Sequence, residues 1–164
     1  MRTYGGEYTL ELPREKVWEF MTDPHRVGPC IPDLLELKVE SENRFNARVK
    51  VGVGPVRGKF DLTCELSVIE PGVVMALPIK GGGMGSGVEM NVEVRLTDVE
   101  NGTLLKWQCD AVISGPIASL GGRLIDGEAR KIIQKVFANF QKALLAAAAE
   151  AEAAVADAAA PEEG

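Results

Sequence analysis

Apolar residues in this chain follow two different periods. Phe45, Ala47, Val49, Val51 and Val53 alternate with Asn46, Arg48 and Lys50. Phe60, Leu62, Cys64, Leu66 and Val68 alternate with Lys59, Asp61, Glu65 and Ser67. Val88, Met90, Val92, Val94 and Leu96 alternate with Glu89, Asn91, Glu93 and Arg95, and Leu105, Trp107, Cys109, Ala111 and Ile113 with Lys106, Gln108 and Asp110. A period of two with the charge on one side predicts strands with one wet and one buried face. Glu70-Pro71-Gly72 marks a turn into a further strand over residues 73–79, and Asn101-Gly102 is a hairpin signal.

Over residues 115–145 the period becomes helical. Ile117, Leu120, Leu124, Ile125, Ala129, Ile132, Val136, Phe137, Phe140 and Leu144 make one stripe, with Arg123, Asp126, Arg130, Lys131, Gln134, Lys135, Gln141 and Lys142 opposite. Pro116 suits the first turn, where its missing N–H costs nothing. At ~1.5 Å per residue the helix is about 45 Å long. Gly121, Gly122 and Gly127 interrupt its first half. They are read as places of close helix–sheet packing; the sharper alternative is a softened segment over a buried space.

Upstream, residues 5–11 read as a strand. Pro13 opens a helix with Val17, Phe20 and Met21 inside, and Asp23-Pro24 caps and starts a second. Pro29 and Pro32 bracket short turns before a strand near residues 34–39. The order predicts an α+β domain. Its form is a helix grip: a curved antiparallel sheet of about seven strands wrapped on a long C-terminal helix, with two short helices after the first strand. Such a sheet can enclose a cavity.

Composition narrows the classes. A 46% hydrophobic share supplies a core, and a net charge of −6 argues against nucleic acid as a partner. The charge is concentrated at the end: Glu150, Glu152, Asp157, Glu162 and Glu163 lie beyond residue 145, in a stretch without bases. The expected organisation is one domain over residues 1–145 and an acidic, alanine-rich tail over 146–164. The tail is expected to continue as helix past Glu152 and become disordered from Pro161. No apolar segment reaches membrane-spanning length and no signal peptide is expected, so the cytoplasm is the expected location. Cys30, Cys64 and Cys109 have no C-x-x-C spacing, which argues against disulfides or zinc.

The catalytic motifs fail on spacing. The glycines around Gly52–Lys59 would need glycine at Val53 and a hydroxyl at Phe60 to make a phosphate loop. The run Lys80–Gly87 matches neither a dinucleotide fingerprint nor a nucleophile elbow. Gly81, Gly82, Gly83, Met84 and Gly85 are read instead as a mobile loop that gates a cavity. His25 has no announced partner, and Asn101-Gly102-Thr103 lies in a hairpin, so neither is assigned chemistry. With the charged positions facing out, no convergent polar group is placed inside. Neither a cofactor nor a metal is expected.

Val17-Trp18, Asp23-Pro24 and Cys30-Ile31-Pro32-Asp33 resemble the opening of the carbon monoxide dehydrogenase G-subunit (CoxG) family, within the polyketide-cyclase/START-like helix-grip superfamily. Val49-Lys50-Val51-Gly52-Val53-Gly54-Pro55-Val56-Arg57 is similar to that family's hairpin. The glycine run at Gly81–Gly87 resembles its glycine loop, and Leu120-Gly121 with Arg123-Leu124-Ile125-Asp126-Gly127-Glu128-Ala129-Arg130-Lys131 its most specific helix motif. Two departures stand out: Asp33 replaces the family's usual glycine, and the acidic tail replaces the membrane-anchoring segment of some members. The resemblance implies a non-catalytic accessory protein of a molybdenum hydroxylase, linked to membrane recruitment or to carrying a quinone. At most peripheral contact with the membrane is expected here.

The expected site is a hydrophobic-ligand cavity for a quinone or lipid, lined by Phe60, Leu62, Met90, Val92 and Trp107 of the sheet and Leu120, Leu124 and Phe137 of the helix. The alternatives are an assembly or docking factor with a filled cavity, and a cyclase-type enzyme using Cys64, Cys109, Thr63 or Tyr8.

Overall fold

A computed structural model describes residues 1–159, with side chains as far as Val155. Strand β1 (Arg2–Leu10) leads through Pro13 into α1 (Arg14–Met21), which buries Val17, Phe20 and Met21 as their spacing predicts. The Asp23 carboxylate accepts the His25 N–H, and Pro24 begins α2 (Pro24–Val27). The Asp-Pro pair thus both ends one helix and caps the next. A 3₁₀ turn at Gly28–Cys30 hands the chain to β2 (Leu34–Ser41). Strands β3 (Arg44–Val53), β4 (Val56–Glu65), β5 (Ser67–Glu70), β6 (Val74–Gly83), β7 (Ser86–Val99) and β8 (Gly102–Ser114) follow, then α3 (Gly122–Ala159).

The strands form one curved antiparallel sheet in the order β1-β8-β7-β6-β4-β3-β2, with β5 attached to β6. The helix-grip reading holds, with eight strands rather than about seven. The additional strand is β5. The β4 pairing ends at Glu65, where the Leu66 N–H turns to the Asn43 carbonyl, and β5 pairs irregularly with β6. Val68, expected inside, is therefore exposed.

Two further expectations are corrected. The long helix begins at Gly122, not at residue 115: Gly115 and Gly121 have φ of 83° and 92°, and Ala118–Leu120 form a separate 3₁₀ turn. Pro116 precedes that turn rather than the helix. From Gly122 the helix runs 38 residues, about 57 Å, past Glu152 as expected. The disorder expected from Pro161 lies outside the described residues.

The second correction concerns Gly81, Gly82, Gly83, Met84 and Gly85, expected to form a gating loop. Gly81, Gly82 and Gly83 belong to β6 and pair with Val88, Gly87 and Ser86. Only Met84 and Gly85 turn, with φ of 55° and 75°, the signature of a two-residue hairpin. The glycines are explained by proximity to β4. A Cβ on Gly81 or Gly83 would collide with the carbonyl oxygens of Asp61 or Lys59. The run is rich in glycine because the sheet bends tightly there, and it is a paired hairpin.

Candidate ligand site between the sheet and the long helix

Strand register builds the inner face row by row. Gly6, Trp107, Val94 and Met75 lie opposite one another across β1, β8, β7 and β6. The next row holds Tyr4, Cys109, Val92 and Leu77; the next Ala111, Met90, Ile79 and Cys64; the next Ile113, Val88, Gly81 and Leu62. Trp107, Cys109 and Ala111 on β8 are buried. Leu62, Leu77, Ile79, Val88, Met90, Val92 and Val94 face the same way but are only half-buried.

The helix repeats this division along its length. Ile125 joins Ala47, Val49, Val53, Phe60 and Ile117 in one apolar cluster at the β3–β4 turn end. Phe140 and Leu144 join Val17, Phe20, Met21, Leu66, Met75, Leu96 and Leu105 in a second cluster at the α1 end. Between them Ala129, Ile133, Val136 and Phe137 are half-buried. Close-packed interiors leave few gaps, so the inward but incompletely covered middle is the distinctive feature of this core.

The structure distributes the expected lining residues over both clusters. Phe60, Leu62 and Leu120 belong to the turn-end cluster. Met90, Val92, Trp107 and Phe137 belong to the α1-end cluster. Leu124 is corrected: it is 37% exposed and lies on the outer side, where a Cβ on Gly54 would meet its Cδ2 at 2.9 Å. Ile132, expected in the apolar stripe, is 46% exposed, and Ile133 takes the inward position.

An aromatic group closes the gap between β1 and α3. Tyr8 stacks on Phe137 at 4.2 Å and 22°, and Phe137 tilts over Trp107 at 5.5 Å. Phe140 meets Phe20 edge-on at 5.3 Å behind them. The indole reaches β1 because Gly6 has no side chain; a Cβ there would stand 3.0 Å from Trp107 Nε1. This nitrogen has no hydrogen-bond partner, the one such buried side-chain polar atom among the described residues.

Polar contacts anchor the helix at its margins. Arg2 donates from Nε and Nη2 to the two oxygens of Asp126 at 2.6 and 2.5 Å, and the Tyr4 hydroxyl donates to Oδ1 at 2.8 Å. The Arg2 bonds, then the Tyr4 bond, hold the Asp126 carboxyl down at about 2. Asn139 Nδ2 donates to the Cys30 carbonyl at 3.0 Å, tying α3 to the 3₁₀ turn. Sequence reasoning placed Asp126 only on the polar face; the sole available signal was its position within the family-like helix motif.

The interior contains little reactive chemistry. Burial pushes the Cys64 thiol up to about 12; burial and then the Asp110 charge push Cys109 up to about 11. Burial also raises Cys30. Reactive cysteines have depressed values, so these are inert packing thiols. Thr63 Oγ1 donates to Asn46, and Tyr8 is part of the aromatic stack. The buried hydroxyls have backbone partners: Thr103 donates to the Leu12 carbonyl, and Ser86 accepts the Ile117 N–H. Among the described residues, no group of three metal-binding side chains occurs.

Two hollows lie on the outer surface. One, of about 510 Å³, is lined by Leu120, Gly121, Gly122, Leu124, Gly127 and Lys131, among others. The other, about 420 Å³, lies between Thr22–His25 and Val39–Glu42. A Cβ on Gly121 or Gly127 would meet nothing within 4 Å. Close packing, the expected reason for these glycines, therefore does not apply to either. Gly121 is explained by its positive φ; Gly122 lies against the Arg2 guanidinium.

The chain is similar in fold to several solved structures. A conserved protein from Geobacillus kaustophilus is 27% identical with a TM-score of 0.79, over 88% of this chain and 95% of that one. A Thermus thermophilus protein (14% identical, TM-score 0.65, 89% and 99% covered) shares the fold. So does a START superfamily protein from Mycobacterium smegmatis (8%, TM-score 0.65, 87% and 96%). No curated relative matches the chain. The family model for the carbon monoxide dehydrogenase G-subunit, CoxG, matches residues 6–145. With that match over most of its length, the chain belongs to the CoxG family.

Proposed function

We propose that this protein is a non-catalytic carrier of a hydrophobic ligand, a quinone or a lipid, serving a molybdenum-containing carbon monoxide dehydrogenase-like enzyme. The observation carrying this reading is the half-buried apolar strip of Leu62, Leu77, Ile79, Met90 and Val92 beneath the half-buried middle of α3. A protein that only needed stability gains by covering that surface, at ~25 cal/mol per Å². A ligand gains by the same burial, less its ordering cost. Membership in the CoxG family supplies the class of partner enzyme, and the START-like fold the class of ligand. Contact with a membrane would be peripheral: no helix among the described residues is long and apolar enough to cross one.

Gentle native mass spectrometry of the purified protein, beside an organic extract of the same sample, tests the reading. A co-purifying isoprenoid or acyl mass, lost on denaturation, is expected. A bare protein mass after addition of quinones and lipids would overturn it. Val92→Trp is expected to abolish uptake, whereas Leu124→Trp, on the outer side, leaves it intact.

One observation favours a second reading, a docking factor. Helix α3 continues beyond Leu144, and residues 149–155 are all exposed. Capture of the partner enzyme that depends on residues 146–164 supports it; indifference to their removal takes the extension out of consideration.

A further inference from the structure

We infer that the Trp107 indole N–H is the polar anchor of the interior site, and that the ligand it holds carries a hydrogen-bond acceptor oxygen on a planar head group. The inference rests on the carrier reading and specifies its ligand. Buried donors are almost always paired, because leaving one unmet costs its desolvation. Trp107 is 9% exposed, and its Nε1 is without a partner. Thr103 and Ser86, the other buried polar side chains, are both satisfied. The orphan stands on the wall that also carries Val94, Met90 and Val92, where the remaining contacts with a ligand are apolar.

The surroundings of the indole define the head group. Gly6 lets the ring lie against β1, and Phe137 covers it from the helix. Phe137 is itself stacked on Tyr8, which is 36% exposed. Rotation of Phe137 out of that stack opens a slot between flat rings, with the N–H at its inner edge. A flat ring with a carbonyl oxygen satisfies both features of the slot: it stacks where Phe137 stacked and accepts the orphan hydrogen bond. An aliphatic chain of equal area satisfies neither. The donor therefore makes the site selective for carbonyl-bearing rings over hydrocarbons of the same shape.

The probes are dimethylnaphthoquinone and dimethylnaphthalene, the same fused rings with and without carbonyl oxygens, presented to the full chain and to Trp107→Phe. The substitution keeps an aromatic ring and removes the N–H. Loss of roughly tenfold in quinone affinity, with hydrocarbon affinity unchanged, is expected. In the wild type, the indole N–H resonance of Trp107 should move downfield with the quinone alone, with Trp18 as internal reference. This second readout stands even if the variant fails to fold. Binding of both probes with no selective loss and no selective shift overturns the anchor and leaves the carrier intact. Binding of neither probe to the wild type, when a lipid binds, also overturns the anchor. Binding of no hydrophobic ligand at all removes the carrier reading, and the anchor with it.

Discussion

The two ends of α3 and its middle obey different rules. At the ends, Ile125, Phe140 and Leu144 are buried against complete clusters. In the middle, Ala129, Ile133, Val136 and Phe137 face the sheet and remain half-buried, above residues of β4, β6 and β7 in the same condition. One continuous helix is thus clamped twice and spans the interval. Stability is concentrated at the clamps, where it does not compete with an open interior. The largest test compares two phenylalanines one helical turn apart. Phe140→Ala should cost about 3–5 kcal/mol, as for any buried phenylalanine. Phe137→Ala should cost about 1–2, in proportion to its half-burial. Equal costs by denaturant unfolding would mean that the middle is as closely packed as the ends.

Overpacking sharpens the same contrast from the opposite direction. Ala47 is 2% exposed inside the turn-end cluster, so Ala47→Leu should cost about 1–3 kcal/mol. Val92→Phe adds more volume over the half-buried strip and should cost less than about 1 kcal/mol, while displacing ligand. A severe loss at Val92 would show that side chains already fill the interval.

Much of this was legible from residue patterns, and the failures have particular causes. The period-two alternation placed Phe60, Met90, Val92 and Trp107 on the inner face because a strand admits only two faces. The helical stripe was less secure: about 3.6 residues per turn leave neighbours such as Ile132 and Ile133 nearly equivalent, and the starting turn decides between them. That start was misplaced because Gly115 and Gly121 need positive φ, which composition does not reveal. The glycine run at Gly81–Gly83 was misread for a related reason: glycine marks either freedom or crowding, and only the nearby β4 carbonyls show which. The Arg2–Asp126 clamp was hidden because its partners are 124 residues apart.

Gly127 tests whether the helix gains by leaving its second turn soft. With nothing within 4 Å of its Cβ position, Gly127→Ala should stabilise by about 1 kcal/mol and raise Tm by about 2–4 °C. Unchanged ligand uptake alongside that gain would exclude helix softening as part of the site; slower uptake would support it. Gly121→Ala, at φ 92°, should instead be destabilising by about 1–2 kcal/mol.

The turn-end clamp also carries a pH dependence whose sign is fixed. Asp126 is held at about 2, below the ~3.9 of an unfolded aspartate, so the folded state favours its charged form. Its contribution is fully present above about pH 4 and is lost as pH falls towards about 2. Asp126→Asn should flatten acid unfolding in that window and leave the profile near neutrality parallel to wild type. Exposure of the pair to solvent keeps the effect small.

The smallest expected effect lies where the 3₁₀ turn passes the chain to β2. Asp33 has φ 56°, in the left-handed region, at the position where the family usually has glycine. Its carbonyl accepts the Lys50 N–H at 3.0 Å, while Ile31 and Leu34 on either side pack against the turn-end cluster. The conformation is therefore imposed by contacts on both flanks. Asp33→Gly removes the left-handed strain, which is mild for aspartate, and adds freedom to the unfolded chain. The two terms nearly cancel, leaving a gain of about 0.5 kcal/mol. A larger gain would show that the turn-end clamp is under strain in this chain. A loss would show that the Asp33 side chain contributes more to this junction than its backbone conformation costs.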